Sequence, residues 1–237
     1  MSGSDDNSSG GGRDDTLPGD VRHSGLDDGA NHDLFDDRGN HFEIDDRGNH
    51  FEIDDRGNDR FVGNDANEDF HGGMGDDDLF GNGGDDSLSG SRGRDTLDGG
   101  IGDDSMLGGR GADDLIGREG DDFLHGNRGD DILNGFGGGA GEVDTLQGGL
   151  GADIFVLADA NGTFYGADDS FAIVLDFSGA EGDTIQLSGG AANYRLEFDF
   201  SNSSSGDTLL RRSDNNDLIA IFTDTTSIDL SLDAIFV

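Results

Sequence analysis

Glycine, aspartate and apolar residues recur with a period of nine between Gly72 and Val156. Seven regular nonapeptides end at Asn134, a thirteen-residue unit with four extra residues follows, and a ninth unit ends at Val156. Glycine opens every unit and fills the fourth place of the regular ones, aspartate fills the sixth place, and an apolar residue fills the eighth. A short fixed period of this kind is the signature of a solenoid, in which each repeat is one structural unit.

The eighth place predicts strands whose single apolar side chain points inward. In the last three residues of a unit, the middle side chain faces one way and its two neighbours face the other. One apolar residue per strand then builds a thin core between two stacked sheets, and only stacking of units can bury it. We therefore predict an all-β fold: a right-handed parallel β-roll with two units per coil, capped by a C-terminal β segment. The inward residues are Leu79, Leu88, Leu97, Met106, Leu115, Leu124, Leu133, Leu146 and Phe155.

The sixth-place aspartates would form two rows, because residues eighteen apart stack on the same side of such a roll. Glycines permit positive φ and close backbone approach, so tight turns can direct carbonyl oxygens inward beside each carboxylate. Carboxylates and carbonyls in a row can supply the six or more oxygens that calcium prefers, whereas without a cation the carboxylates would repel one another. One row contains Asp77, Asp95, Asp113 and Asp131, and the other contains Asp86, Asp104 and Asp122, with Glu68 as a candidate first member.

Composition narrows the choice of partner. The chain has 53 acidic residues against 14 basic ones, all of them arginine, and a formal charge of −39. This balance excludes nucleic acid as an expected partner and opposes adsorption to anionic membranes. There is no cysteine, so disulfides cannot stabilise a chain with 44 glycines and few apolar side chains, and metal is the remaining means. Charge alone also fits a disordered acidic chain, which the sustained register of the repeats disfavours.

The unit GGxGxDxUx resembles the calcium-binding nonapeptide of RTX (repeats-in-toxin) proteins, as found in the C-terminal β-rolls of serralysin-type proteases, RTX toxins and secreted lipases. The resemblance implies that calcium ions lie between successive turns, held by sixth-place carboxylates and turn carbonyls. The implied carboxylate ligands are Asp77, Asp86, Asp95, Asp104, Asp113, Asp122, Asp131, Asp144 and Asp153. The implied turn ligands are Gly73, Gly75, Asp76, Gly84, Asp85, Gly93, Gly100, Gly102, Asp103, Gly109, Gly111, Gly120, Asp121, Gly129, Asp130, Gly149 and Gly151.

Four units depart from the family pattern at the fifth place, where Arg94, Ala112, Val143 and Ala152 replace the commoner Asp or Asn. The resemblance implies that this place contributes its carbonyl, so we expect these sites to survive the substitutions. The resemblance to the nonapeptide is strong over residues 72–156.

Residues 27–71 keep the nine-residue period but not the residue types at its aspartate and apolar places. The nonapeptide DDRGNHFEI occurs twice, placing His41 and His50 at the aspartate place and Glu43 and Glu52 at the inward apolar place. A buried unpaired glutamate is costly, so Phe42, Ile44, Phe51 and Ile53 could face inward after a flip of the strand. We expect this segment to form less regular strands with weak calcium sites or none. The alternative is a transition-metal site that combines His32 and His50. Further candidate ligands of that site are His23, His41 and acidic neighbours. Residues 1–26 are expected to form a flexible tail.

Ordinary β patterning replaces the glycine period in 157–237, which we predict to be a cap that continues the sheets and blocks end-to-end growth. The predicted strands are Phe171–Phe177, Asp183–Leu187, Tyr194–Phe200, Thr208–Arg212, Leu218–Thr223, Ile228–Leu232 and Ile235–Val237. The last five residues, DAIFV, resemble the end of type I secretion substrates, and no segment reads as a classical signal peptide or a membrane span. We therefore expect a secreted protein that uses type I secretion machinery.

The motifs of common enzyme classes are missing from the sequence. HExxH, GxSxG and P-loop patterns do not occur, no convincing EF-hand loop occurs, and the paired aspartates are accounted for by turns. We expect no enzyme activity and a calcium-binding module that folds outside the cell. Two alternatives stay open: an adhesion or surface-interaction protein that uses the roll as a rigid spacer, and an accessory chain of a secreted hydrolase. A protein or glycan partner is not identified by the sequence.

Overall fold

Strands follow the nonapeptide period throughout the computed structural model of the chain. The structure describes residues 57–237, apart from 139, 161, 166–168, 200–205 and 226, together with the backbone of three short strands before residue 57. Those three are β1 (Leu34–Phe35), β2 (His41–Phe42) and β3 (His50–Glu52). The predicted tail, 1–26, lies outside the described residues, as do His23 and His32.

Most repeats contribute a longer strand than the three residues predicted, although the strands Arg60–Val62 and Ile154–Val156 have three residues each. A typical strand begins at the seventh place and continues through the third place of the next unit, because peptide groups beyond the opening glycine also pair with the next coil; the Gly84 N–H, for example, donates to the Ile101 carbonyl at 2.9 Å. The strands are β4 (Arg60–Val62), β5 (Asp69–Met74), β6 (Asp78–Gly83), β7 (Ser87–Arg92), β8 (Thr96–Ile101), β9 (Ser105–Arg110), β10 (Asp114–Glu119), β11 (Phe123–Arg128), β12 (Ile132–Phe136), β13 (Val143–Leu150) and β14 (Ile154–Val156).

Alternate strands form two parallel sheets, which confirms the parallel β-roll. Even-numbered strands from β4 to β14 pair in sheet one, and odd-numbered strands from β3 to β13 pair in sheet two. The register places residues eighteen apart side by side, as in the column Leu79, Leu97 and Leu115. The extra residues before Asp144 form a loop outside the ladder, since Leu124 still pairs with Leu146.

The core is the predicted single file of eighth-place side chains. From Leu79 to Phe155 none is more than 1% exposed, and Phe61 and Phe70 extend the file toward the N-terminal end, where their rings stack with centroids 5.5 Å apart. Full burial of one such side chain stabilises the fold by roughly 1.5–3 kcal/mol. Because every coil adds only two of these side chains, stacking of coils is the only source of a continuous core.

The segment after the repeats adds two further coils and a hairpin. Its elements are β15 (Ala158–Asp159), β16 (Gly162–Thr163), β17 (Phe171–Val174), β18 (Thr184–Leu187), a 3₁₀ turn (Ala191–Asn193), β19 (Tyr194–Asp199), β20 (Asp207–Arg212), β21 (Leu218–Phe222) and β22 (Ala234–Phe236). Strands β17 and β21 extend sheet two in parallel, and β18 and β22 extend sheet one. The hairpin β19–β20 then pairs antiparallel with β21, so sheet two ends in antiparallel strands.

Six of the seven strands predicted after residue 157 are present, with ends shifted by one to three residues. The prediction of a strand over Ile228–Leu232 is wrong. Ile228 and Leu230 are buried, but the backbone turns here, since the Leu232 N–H donates to the Asp229 carbonyl at 2.9 Å and the Asp229 N–H to the Asp233 carboxylate at 2.7 Å. Two apolar residues with one polar residue between them therefore anchor a loop on the core.

The register changes in the degenerate repeats. Phe51 lies opposite Phe70, nineteen residues on, so Phe51 and not Glu52 occupies the register position of the core column. His50 lies opposite Asp69, so the prediction that His50 takes the aspartate place is wrong in this register. The one-residue slip removes a glutamate from the apolar column. Farther toward the N-terminus the backbone differs from the expected parallel coil, because β1 and β2 pair antiparallel.

The turns depend on fourth-place glycines, whose backbone is left-handed. Gly111 has a φ of +145°, and a Cβ at this position would collide with the carbonyl oxygen of Gly93 in the preceding coil. The Gly111→Ala change should therefore lower the free energy of unfolding by about 2 kcal/mol or more. Urea unfolding in saturating calcium measures this. Gly190→Ala is the matched control, because a Cβ there meets nothing within 4 Å, and equal losses in the two variants would contradict the account.

Candidate functional site

The sixth-place aspartates are buried inside the turns, although they are the most regular charged residues of the chain. None of the nine from Asp77 to Asp153 is more than 3% exposed. Eight of the nine follow a left-handed fourth-place glycine by two positions, and Asp144 follows the left-handed Gly141 by three, so the chain reverses around each carboxylate. The repeat therefore removes a full row of carboxylates from water on each side of the roll.

One carboxylate oxygen of each aspartate bonds to the neighbouring coil. The Asp95 N–H donates to Asp113 Oδ1 at 2.9 Å, and the Asp113 N–H donates to Asp131 Oδ1 at 2.8 Å. The same bond crosses the insertion, where the Asp122 N–H reaches Asp144 Oδ1 at 3.0 Å. These bonds form one continuous ladder per row, so the predicted rows are present as hydrogen-bonded structures.

The rows extend beyond the regular repeats. At the N-terminal end, the Asp59 and Glu68 N–H groups donate to Asp77 and Asp86 at 2.9 and 2.7 Å. At the C-terminal end, the Asp153 N–H donates to Asp183 Oδ1 at 3.0 Å. The sequence reading included Glu68 as a candidate but missed Asp183. The signal for Asp183 was an apolar residue two places after it, as in the repeats, although its glycine stands directly before it and not two places before it.

The second carboxylate oxygen lies against the glycine that opens the unit. A Cβ at Gly99 would collide with Asp104 Oδ2, and a Cβ at Gly90 would collide with Asp95 Oδ2. The first-place glycine is therefore required by the carboxylate and not by its own φ. This contact explains why all nine units keep both the glycine at the first place and the aspartate at the sixth.

The inner Oδ2 atoms are buried and receive no hydrogen bond from the described residues. Burying an anionic oxygen without a donor is costly, and a bound cation is the group that relieves such a site. The donor set therefore fits a hard cation such as calcium, whose ligands are oxygens. The oxygens are Oδ2 of Asp86, Asp95, Asp104, Asp113, Asp122, Asp131 and Asp153.

Burial also changes the titration of these carboxyls. Desolvation raises the pKa of Asp95, Asp104 and Asp131 to about 7, partly offset by the backbone hydrogen bond that each accepts and reinforced by neighbouring carboxylates of the same row. The same causes raise the pKa of Asp122 to about 8. A row of this kind binds protons near neutral pH when no other cation is present.

The predicted turn ligands lie in the same turns as these carboxylates. In both rows the carbonyl of a fourth-place glycine lies beside the next coil, so that Gly75 O contacts Gly93, and Gly84 O contacts Gly102. Among the described residues no three His, Asp or Glu side chains converge on a common point. A cation in a row would therefore need backbone carbonyls in addition to carboxylates.

The fifth place has a second ladder on the surface. Its Asp or Asn side chain accepts a hydrogen bond from the fifth-place N–H of the next coil, as from Arg94 to Asp76 at 2.8 Å and from Ala152 to Asp130 at 2.9 Å. Arg94, Ala112, Val143 and Ala152 have no carboxylate to continue this ladder. The effect of the four substitutions thus falls on an exposed bond, while the buried sixth-place rows run past them unbroken.

Each row ends in a carboxylate held by a protein donor. The Tyr165 hydroxyl donates to Asp144 Oδ2 at 2.6 Å, and the Ser178 N–H donates to Asp183 Oδ2 at 2.7 Å. Tyr165 is 1% exposed and packs on Phe136 from the insertion, with ring centroids 5.1 Å apart. The insertion and the segment after the repeats together therefore close the second row with an aromatic plug, which the sequence reading did not anticipate.

The histidines of the predicted alternative metal site lie outside the described part of the chain: His23 and His32 entirely, and His41 and His50 by their side chains. Among the described residues no helix has the length and apolar character needed to cross a bilayer.

The part of the chain that carries both aspartate rows is similar to known proteins. Residues 53–79, 80–115, 107–139 and 138–164 match the family model of the RTX calcium-binding nonapeptide repeat, in four copies. A solution structure of the AlgE6R3 subunit from the Azotobacter vinelandii mannuronan C5-epimerase is similar at 22% sequence identity, over 76% of this chain and 78% of that chain, with a TM-score of 0.25. No curated protein sequence matches the chain.

Removing the hydroxyl of the plug tests the closure of the second row. Tyr165→Phe leaves the buried Asp144 oxygen without its donor, so the free energy of unfolding in saturating calcium should fall by about 1–3 kcal/mol. Tyr194→Phe is the control, because the Tyr194 hydroxyl bonds the Ser188 backbone, at 3.2 Å from its N–H and 3.0 Å to its carbonyl. Urea unfolding should show the smaller loss for the control; a Tyr165→Phe variant as stable as the parent would contradict the assigned bond.

The raised pKa values predict that acid favours the metal-free fold. The folded state binds protons more tightly than the unfolded chain, so this stability grows as the pH falls from about 8 toward about 4 and is lost as the pH rises through the folded pKa values of about 6–8. Circular dichroism of the chelated chain should gain sheet signal on acidification. With calcium present, the apparent affinity should instead weaken over the same window, because protons compete for the carboxylates. A chelated chain whose spectrum is independent of pH would contradict this.

Proposed function

We propose, from the premise that residues 53–164 of this chain are RTX calcium-binding nonapeptide repeats, that the protein is a secreted β-roll that folds when calcium fills its two carboxylate rows. The observation that carries the proposal is the set of buried Oδ2 atoms that receive no hydrogen bond from the described residues, one in each turn from Asp86 to Asp131 and one at Asp153. They occur where the family pattern implies a ligand, and the ladder of Oδ1 bonds orients each of them alike.

The ligands in this proposal are the sixth-place carboxylates and turn carbonyls of consecutive coils. Calcium takes six to eight oxygens in flexible geometry, whereas magnesium demands a tight octahedron, so a site made of two carboxylates and several carbonyls suits calcium. Consecutive row members from Asp77 to Asp153 enclose about seven such sites. Asp144 and Asp183 contribute differently from the inner members, because a protein donor already holds one oxygen of each.

Coupling of folding to calcium follows from the electrostatics of the rows. Without cations, stacked buried carboxylates repel one another and are expensive to ionise, which is the cause of their raised pKa values. A ligand that binds only the folded state stabilises it by mass action, and several sites acting on one solenoid make the response steep. The core of one apolar side chain per strand is too thin to offset the repulsion alone.

The calcium affinity of the sites decides whether the chain folds inside or outside the cell. Extracellular calcium modules bind at roughly 0.1–1 mM, well above free calcium in cytosol. A chain with such sites would stay unfolded inside the cell and fold outside it. We include passage through type I secretion machinery in the proposal, because an unfolded acidic chain suits export through a channel and RTX repeats are typical of exported proteins.

Calcium titration followed by circular dichroism and calorimetry tests the proposal. The Asp104→Asn/Asp113→Asn variant removes one inner ligand from each row, so it should need at least about tenfold more calcium to reach half-folding. The control, Asp78→Asn/Glu119→Gln, removes the same charge from exposed positions and should match the parent.

Two results would overturn the proposal. One is a chelated parent chain at neutral pH whose sheet spectrum equals that of the calcium-loaded chain. The other is an equal shift in the row variant and the exposed-charge variant, which would mean that calcium acts only by screening net charge.

A further inference from the structure

One turn of the second aspartate row contains an asparagine followed by a glycine that the fold does not require. Asn82 holds the left-handed second place of its unit, with a φ of +71°, where four other units have glycine. Gly83 holds the third place, where seven of the nine units have a larger residue. Its φ lies outside the left-handed region, and a Cβ there would come no closer than 3.7 Å to its neighbours. A side chain therefore fits at Gly83.

An asparagine followed by glycine is a chemically reactive pair. The Gly83 backbone nitrogen can lose its proton and bond to Cγ of Asn82, which closes a five-membered imide ring and releases ammonia. Water then opens the ring at either carbonyl and leaves aspartate or isoaspartate in place of asparagine. Glycine favours the closure because it has no Cβ to obstruct the nitrogen and its backbone is the least restricted. The reaction consumes only water and needs no enzyme.

In the folded roll, the preceding coil holds both reacting groups. The Gly83 N–H is buried and donates to the Asn64 carbonyl at 3.0 Å, and the Asn82 side-chain amide donates to the Gly63 carbonyl at 2.9 Å. Strand β6, which contains the pair, also lies in register with β8 of the next coil. Ring closure therefore requires local opening of this strand, because the nitrogen must leave its partner and turn toward the side chain.

The same turn contributes a carboxylate to the second aspartate row. Gly81 opens the turn, and a Cβ there would collide with Asp86 Oδ2. The Asp86 Oδ1 atom accepts the Glu68 N–H of the preceding coil at 2.7 Å. The contacts that hold the reactive pair and the contacts that hold Asp86 thus join the same two coils, so an ion that stabilises the row also keeps the pair closed.

We propose that Asn82 is a modification site controlled by folding: it converts spontaneously to aspartate or isoaspartate in the calcium-free chain, and the calcium-bound roll prevents the conversion. The control by calcium rests on the proposed function, whereas the reactivity of the pair does not. Both products weaken the turn. Aspartate removes the donor to the Gly63 carbonyl and places a carboxylate there, and isoaspartate lengthens the main chain of β6 by one carbon. A chain that remains without calcium therefore folds less readily when calcium arrives.

The chain provides two internal comparisons for this site. Asn127 also holds a left-handed second place, with a φ of +78°, but Arg128 follows it, so a side chain obstructs the attacking nitrogen. Asn134 is followed by Gly135, a glycine that the fold does require, because a Cβ there would collide with Asp144 Oδ2. In the unfolded chain Asn134 is the reactive comparison and Asn127 the unreactive one.

Peptide mass spectrometry measures the conversion at each asparagine as a mass gain of about 1 Da. The parent chain is incubated in mildly alkaline buffer with saturating calcium, with chelator, or with chelator and urea, and is then cleaved after arginine by trypsin. The Gly83→Ala variant is treated alike, since it keeps Asn82 and adds one methyl group that the folded roll accommodates. Circular dichroism establishes in each condition whether the chain is folded.

In urea, Asn82 and Asn134 should convert at least about tenfold faster than Asn127, and Gly83→Ala should slow the conversion of Asn82 alone by a similar factor. The chelated parent should convert Asn82 as it does in urea. Saturating calcium should slow that conversion at least about tenfold, because the pair then reacts only through local opening.

Conversion of Asn82 in urea no faster than that of Asn127 would overturn the inference. Equal conversion in urea and in calcium, with a folded spectrum in calcium, would also overturn it, because the fold would then give no protection. A chelated chain that stays folded and protected would overturn the control by calcium together with the proposed function. The contrast between urea and calcium would in that case still support a modification site that folding closes.

Discussion

A buried carboxylate shared between two coils is the interaction on which the rest of this structure depends. One oxygen of each sixth-place aspartate accepts an N–H from the neighbouring coil, and this bond holds the turns in stack. In seven of these aspartates the other oxygen lies under the opening glycine of its own turn and receives no hydrogen bond from the described residues. The same side chain is thus both a link between coils and the source of their repulsion, and a cation that binds the second oxygen would remove the repulsion without breaking the link.

The glycines follow from that carboxylate. A first-place side chain would occupy the space of the Oδ2 atom, and a fourth-place side chain would meet the carbonyl of the preceding coil. The second place is also left-handed, and Asn82, Ser91 and Arg118 hold it where other units have glycine. The exposed third and fifth places vary in charge, and beside the first row four of them hold arginine.

At the ends of the roll, groups other than a neighbouring repeat satisfy the buried carboxylates and the core column. At the C-terminal end, the unpaired oxygen is satisfied by Tyr165 in one row and by the Ser178 backbone in the other, so both rows finish without a dangling ligand. Sheet two then closes with an antiparallel hairpin, which does not repeat the parallel template of the coils. At the other end, the register slip at Phe51 keeps an aromatic residue in the core column.

The sequence by itself determined the parallel roll, the apolar file from Leu79 to Phe155 and the two aspartate rows, because each depends on a local pattern that repeats at a fixed period. It did not reveal the full length of the strands, Asp183, or the Tyr165 bond to Asp144. Those features depend on contacts between residues far apart in the chain or on pairing with the next coil, for which no period exists. The register at His50 was also decided in three dimensions, since the backbone pairing places Phe51 and not Glu52 at the position of the apolar column, at the expense of the nine-residue phase.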